Sequence, residues 1–278
     1  MSRLSFTKNP APLIVDVIRE RTVRDAVAAI KNGKLNGAQA YDLHLSALEE
    51  PYKNTESIRE ILSAATLPVM ALSYSQTYDN RGISETEEQR VSYLKMAVDA
   101  GVSCIDMQAY TFDRPCKEHF DTANAPSELL FAHTEPHEVT LDAHALEAQR
   151  ELVSYAHAHG TEVLISCHTL VPMSAEELVC LGKLLVSRGA DAIKIVGKCD
   201  TDQELAEAFR GMLALKREIT SCPVHFHCGG EKGRVTRILH PMVGSYLVFC
   251  TDRYTVSSNF DQLELSAVSE LFRRFERL

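Results

Sequence analysis

The sequence predicts an α/β chain folded as a (β/α)8, or TIM, barrel, and three observations predict it. Eight short apolar runs of strand character alternate with helix-like segments along the 278 residues. No shift in composition marks a boundary, so residues 1–278 read as one barrel domain of ordinary length for that architecture. The competing doubly wound sheet would more naturally carry a glycine-rich phosphate loop after an early strand, and the sequence has none.

The elements follow in order. Pro12–Ile18 is the first strand, and Thr22–Asp25 opens a helix through Ile30, with Gly33 as its expected stop. Ala38–Leu45 is the second strand and Leu67–Tyr74 the third, with a helix around Ser57–Leu62 between them. Glu85–Ala100 is strongly helical and stops at Gly101, before the strand Val102–Gln108. Residues 109–137 hold Pro115, Pro126 and Pro136 among polar residues and read as an elaborated loop or lid. A helix from about Leu141 to His159 precedes the strand Glu162–Cys167, which delivers His168. Ser174 caps a helix with an acidic first turn that runs to Gly189. Ala190–Val196 is the sixth strand and Thr201–Ile219 its helix. Pro223–Cys228 and Gly244–Cys250 are the last two strands, and a helix from Gln262 to about Phe275 ends the pattern.

The sixth strand organises the rest. Ala190-Asp-Ala-Ile-Lys194-Ile-Val196 is a β-branched run suited to burial on both faces, with a lysine inside it. Burying an unpaired ammonium is costly, and desolvation favours the neutral amine, a nucleophile towards carbonyls. The plain alternative is a lysine snorkelling from a strand end. His168 ends the preceding strand, so a proton-transfer group and an imine-forming amine fall on adjacent strands. An imine is an electron sink that acidifies the neighbouring C–H and permits elimination or aldol chemistry. Asp42, His44, Tyr74, His225 and His227 also lie near predicted C-terminal strand ends, where a barrel gathers its active site.

Bulk properties narrow the partners. A net charge of −9 without a basic cluster argues against nucleic acid, but leaves small anionic substrates open. No apolar run is long enough to cross a membrane, and the eight cysteines are scattered without a CxxC pair. A cytoplasmic protein with free thiols is the expectation.

These strands have a specific likeness. Val163–His168 is similar to a strand ending in Ser-Tyr-His, and Ala190–Ile195 to an Ala-Asp-x-x-Lys-Ile strand. Gly230–Arg237 fits a Gly-x-x-Gly-x-x-Ser-Arg turn, and Gly244, Ser245 and Phe249 fit a Gly-Ser-x-x-Thr-Phe strand. Ser258–Gln262 keeps the Ser and Gln spacing of a Ser-Ala-Pro-Gly-Gln loop. In these pieces, over nearly its whole length, the chain resembles type I 3-dehydroquinate dehydratase, the Schiff-base lyase of the shikimate pathway and so of aromatic amino acid biosynthesis. The resemblance implies that Lys194 forms the imine, without a separate cofactor, and that His168 is the general acid–base. It implies that Arg237 holds the substrate carboxylate, that Ser258 and Gln262 lie on a closing loop, and that the protein is a homodimer. The implied substrate is a small anionic hydroxy-ketone, 3-dehydroquinate or a relative.

The departures concern specificity. The family's Glu-x-Arg-x-Asp becomes Asp42-Leu-His44-Leu-Ser46, its arginine after the third strand falls at Tyr74, and a fourth-strand glutamate becomes Gln108. Its Glu-Gly-Gly turn, whose glutamate supports the catalytic histidine, is replaced by Tyr78–Gly82, leaving Tyr78 or Asp79 as substitutes. Two other readings compete. His225 and His227, with His44, His168 and Asp42, offer ligands for a metal-dependent hydrolase or aldolase. Alternatively, the two strand-seven histidines are packed and locally hydrogen-bonded. A non-catalytic metabolite-binding relative is the third possibility; retention of Lys194, His168 and Arg237 together argues against it.

Overall fold

Buried β-branched runs become strands and side-chain-capped runs become helices in the computed structural model, which describes residues 4–74, 85–113, 138–254 and 261–275. The described chain groups into two compact units.

The first comprises residues 1–106, 158–162 and 248–278. Its strands are β1 (Leu13–Ile18), β2 (Ala40–His44), β3 (Val69–Leu72), the start of β4 (Cys104–Gln108), β8 (Leu247–Thr251) and the short β9 (Leu263–Glu264). They run in the order β4-β3-β2-β1-β8-β9, with parallel ladders. β1 to β4 are buried along their whole length, which explains apolar runs without polar alternation. Helices α1 (Val23–Leu35), α2 (Thr55–Ser63), α3 (Glu87–Ala100) and α8 (Leu265–Phe275) belong to this unit.

Thr22, Asn54 and Thr86 cap the first three helices by accepting backbone N–H bonds, and Gln89 completes a capping box at α3. Gly33 does not stop α1, which continues to Leu35; the left-handed glycine at its end is Gly37, at φ +101°. Gly33 is instead a close-packing position. A Cβ there would stand 2.2 Å from Asp16 Oδ2 and 3.4 Å from the Tyr41 ring.

The second unit comprises residues 107–157 and 163–247. Its strands β5 (Glu162–His168), β6 (Ala192–Lys198) and β7 (Val224–Gly229) lie side by side and parallel. Helices α4 (Ala143–Ala158), α5 (Ala175–Ser187), α6 (Asp202–Glu218) and α7 (Thr236–Val243) alternate with them. Ser174 and Thr201 begin α5 and α6 with capping boxes to Glu177 and Glu204. Gly244, expected within a strand, is the positive-φ stop of α7, and β8 begins only at Leu247. Between them, the Tyr246 N–H donates to the Val224 carbonyl at 2.8 Å, tying the approach to β8 onto β7.

Among the described residues, eight strands alternating with eight helices, with β9 added, is the element order of the predicted α/β class. No described helix is long and apolar enough to cross a membrane.

Candidate active site

Parallel register turns the sixth strand's lysine into part of a layer. Ser166 of β5, Lys194 of β6 and His225 of β7 are Cα partners, and so are His168, Val196 and His227. Side chains two residues apart share a strand face, so both rows point the same way. Lys194 therefore sits one pleat below His168 on the neighbouring strand, with His225 beside it. Lys194 is the third residue of seven in its strand and is only 5% exposed. It is a buried amine rather than a snorkelling one.

Asp191, three residues before the lysine, has a structural task. Its Oδ2 accepts the Val163 N–H at 2.8 Å and lies 2.7 Å from His157 Nε2, locking β6 against the start of β5. This aligns the Lys194 and His168 rows.

His168 is held by Glu138. Oε2 of this fully buried carboxylate lies 3.1 Å from His168 Nδ1 and also accepts the His168 backbone N–H. A carboxylate on Nδ1 keeps that nitrogen protonated and assigns proton exchange to Nε2. Glu138 is placed by a buried knot that joins both ends of the long insertion. Arg188 donates to the Ala109 carbonyl at 2.8 Å, the Thr140 carbonyl at 2.6 Å and Gln149 Oε1 at 3.2 Å. Gln149 in turn donates to the Ala109 and Thr111 carbonyls, and the Thr140 N–H to the Ala109 carbonyl. The glutamate thus stands two residues from a backbone point fixed by guanidinium bonds.

On β7 the two histidines bond each other. His225 Nε2 lies 2.8 Å from His227 Nδ1, and His225 Nδ1 lies 2.9 Å from the Ser245 hydroxyl. Burial, then the nearby Lys194 and Arg237 charges, push the His225 pKa well below 6.5. Burial, followed by Arg237, His225 and Lys194, does the same to His227. Both rings are consequently neutral at neutral pH. Arg237, on the first turn of α7, reaches this group through its field. The start of α7 is secured by Thr236, whose hydroxyl accepts the Cys228 N–H at 2.8 Å and donates to the Gly233 carbonyl.

The remaining predicted residues form a cluster in the first unit. His44, Leu72 and Asp106 are successive ladder partners, so His44 and Asp106 flank Leu72 on one face. The Tyr74 hydroxyl donates to Asp106 Oδ2 at 2.8 Å, and its ring meets His44 edge-on at 6.0 Å. His44 Nε2 lies 3.5 Å from Asp42 Oδ2. All four are buried. Gln262 is buried as well, and its carbonyl accepts the Tyr254 hydroxyl at 2.6 Å. Ser258, Tyr78, Asp79 and most of the 109–137 loop lie outside the described residues.

The structure thus gathers Lys194, His168 and the field of Arg237 in one unit, and Asp42, His44 and Tyr74 in the other. Sequence reasoning missed Glu138, which lies 30 residues before His168 at the end of an irregular stretch. An acid followed by Val139 and Thr140, a few residues before a helix, was the available signal. Among the described residues, no group of three or more histidine, cysteine, aspartate or glutamate side chains is arranged to hold a metal ion. The two β7 histidines instead use facing ring nitrogens on each other.

Comparison with known proteins shows a family. A family model described as Type I 3-dehydroquinase matches residues 15–276. A curated relative, the 3-dehydroquinate dehydratase of Alkaliphilus oremlandii, is 26% identical over 113 residues, 40% of this chain; the match spans 44% of that relative's length. The crystal structure of 3-dehydroquinate dehydratase from Geobacillus kaustophilus aligns with a TM-score of 0.74 at 11% identity, over 98% of this chain and 93% of that one. The type I enzyme of Clostridium difficile, solved with covalently modified comenic acid, aligns at 0.73 and 17% identity, over 99% and 98%. These likenesses show the barrel fold.

Proposed function

The chain belongs to the type I 3-dehydroquinase family, and from that membership we propose that it is a carbon–oxygen lyase that forms an imine on Lys194 and dehydrates 3-dehydroquinate, or a closely related hydroxy-ketone acid, to the conjugated enone. The observation that carries this reading is the pair of rows on β5 and β6. A buried amine and an imidazole share one strand face, and the imidazole's tautomer is set by Glu138.

In the proposed sequence the Lys194 amine adds to the ketone carbon, and the carbinolamine loses water to give an iminium. The iminium withdraws electrons from the adjacent C–H, and His168 Nε2 takes that proton. The electron pair closes the new C=C bond as the β-hydroxyl departs, protonated by His168 to leave as water. Hydrolysis of the iminium returns the lysine, so the substrate has lost one H and one OH. Glu138 stabilises the imidazolium formed between the two proton transfers.

Arg237 is proposed to hold the carboxylate, which its planar fork fits in a bidentate manner. Ser258 and Gln262 are proposed to belong to the loop that closes over the substrate. Asp42, His44 and Tyr74 are polar and buried at the ends of β2 and β3. They suit hydroxyl recognition, and they replace an arginine-bearing pattern.

The test is mass spectrometry after incubation with 3-dehydroquinate and borohydride. A stable adduct is expected on Lys194, and Lys194→Ala is expected to lose the adduct together with at least about a thousandfold in kcat. Turnover of 3-dehydroquinate without any trapped adduct overturns the imine. Trapping of other ketones with no turnover of 3-dehydroquinate moves the substrate to a relative.

A further inference from the structure

Hydrogen-bond counting along β7 gives His227 a role. Each neutral imidazole carries one N–H, and the 2.8 Å contact between His225 Nε2 and His227 Nδ1 requires one proton between them. Ser245 is fully buried; its Oγ accepts the Phe226 N–H at 3.1 Å and lies 2.9 Å from His225 Nδ1 and 3.3 Å from the Phe226 carbonyl. Two arrangements satisfy every member. In one, Ser245 donates to His225, His225 donates to His227, and His227 Nε2 is left as a donor. In the other, Ser245 donates to the Phe226 carbonyl, His225 donates to Ser245, His227 donates to His225, and His227 Nε2 is left as an acceptor. They differ only in tautomer, with no change in charge. Among the described residues, His227 Nε2 has no protein partner. Its Cα neighbour is Val196, on the row that holds His168.

We propose that His227 determines substrate specificity, with Nε2 hydrogen-bonding a hydroxyl of the polyol substrate, and that His225 and Ser245 are positioning residues that let this nitrogen either donate or accept. The proposal rests on the Lys194 reading above for the location of the substrate. A neutral group of either polarity suits a hydroxyl, which can itself donate or accept. It does not suit a carboxylate, which only accepts and has Arg237 close by.

The test separates the proposal from the imine. In a Lys194→Ala background, calorimetric titration with 3-dehydroquinate is expected to show about tenfold or greater weakening on His227→Leu. Partial recovery is expected in His227→Gln, which keeps one donor and one acceptor. With Lys194 present, borohydride trapping of pyruvate, which has no hydroxyl to read, is expected to stay within about twofold. Nitrogen NMR of the Lys194→Ala protein is expected to show two neutral rings, and a His227 Nε2 resonance that moves when 3-dehydroquinate binds. An unchanged Kd, an equal loss of pyruvate trapping, an unmoved Nε2 resonance or no 3-dehydroquinate binding in this background each overturns the proposal. If the parent protein traps no ketone, the imine reading fails while the Kd comparison still decides the role of His227.

Discussion

In residues 163–247 the histidines of the β5–β7 face have their ring protons accounted for by neighbours: His168 by Glu138, His225 by Ser245 and His227. In residues 1–106 the polar strand positions are mostly acids, and Asp16 among them is held more loosely. Asp42 Oδ2 lies 3.5 Å from His44 Nε2, Asp106 Oδ2 accepts the Tyr74 hydroxyl at 2.8 Å, and Asp16 has one buried oxygen with no partner. Burial and the Asp252 charge raise the Asp16 pKa from 3.8 to about 7. One region therefore controls which atom carries each proton, and the other buries a carboxyl, Asp16, whose charge state follows pH. Proton transfer needs the first arrangement, because a base must present its lone pair on the right nitrogen.

Breaking the tighter region has the largest expected effect. Glu138→Gln removes the anion from His168 while preserving shape, and kcat for 3-dehydroquinate is expected to fall by about ten- to a hundredfold with KM nearly unchanged. Glu138→Asp is expected to retain part of the rate. A variant with wild-type kcat in steady-state assays removes Glu138 from the machinery.

In the looser region, Asp16→Asn probes the buried carboxyl. The folded state binds this proton more tightly than the unfolded chain, so stability falls as pH rises from about 4 to about 7. At pH 8 the asparagine variant is expected to be more stable than the parent by about 1–3 kcal/mol, and at pH 4 to match it. Urea melts at the two pH values measure this, and parallel pH dependence in both proteins refutes it. The Asp252 N–H, which donates to Asp16 Oδ1 at 3.0 Å, keeps an acceptor in the variant.

The smallest effect is expected from Tyr74→Phe, which takes one donor from Asp106. KM for 3-dehydroquinate is expected to rise about two- to tenfold with kcat within twofold. A fall in kcat alone would place Tyr74 among the proton-handling groups and blur the contrast between the regions.

Much of this was legible in one dimension. The buried strand around Lys194, the strand ending at His168, and the Ser174 cap are local patterns, written within a few consecutive residues. Gly33 misled because a glycine near a helix end suggests termination, whereas here it makes room for Asp16 and Tyr41, side chains on other elements. Tyr78 and Asp79, the substitutes for the family's supporting glutamate suggested by position in the chain, lie outside the described residues. Among the described residues support comes from Glu138, next to backbone points at Ala109 and Thr140 that Arg188 and Gln149 pin down. The histidine pair was visible as His-x-His, a spacing that suits two metal ligands. Only the ring geometry shows the two nitrogens turned on each other and backed by Ser245.

The sequence by itself determined the α/β class and the order of elements, and it supplied the proposed amine, proton-transfer histidine and carboxylate-binding arginine. The class and order depend on residue type and short-range periodicity, and the three proposed roles on the resemblance of motifs, all of which survive without coordinates. Tertiary structure alone decided which acid holds His168, why Asp191 precedes the lysine, and what the two β7 histidines bond to. Hydrogen bonds are satisfied between groups close in space, and a partner 20 to 30 residues distant leaves no periodic trace in the chain.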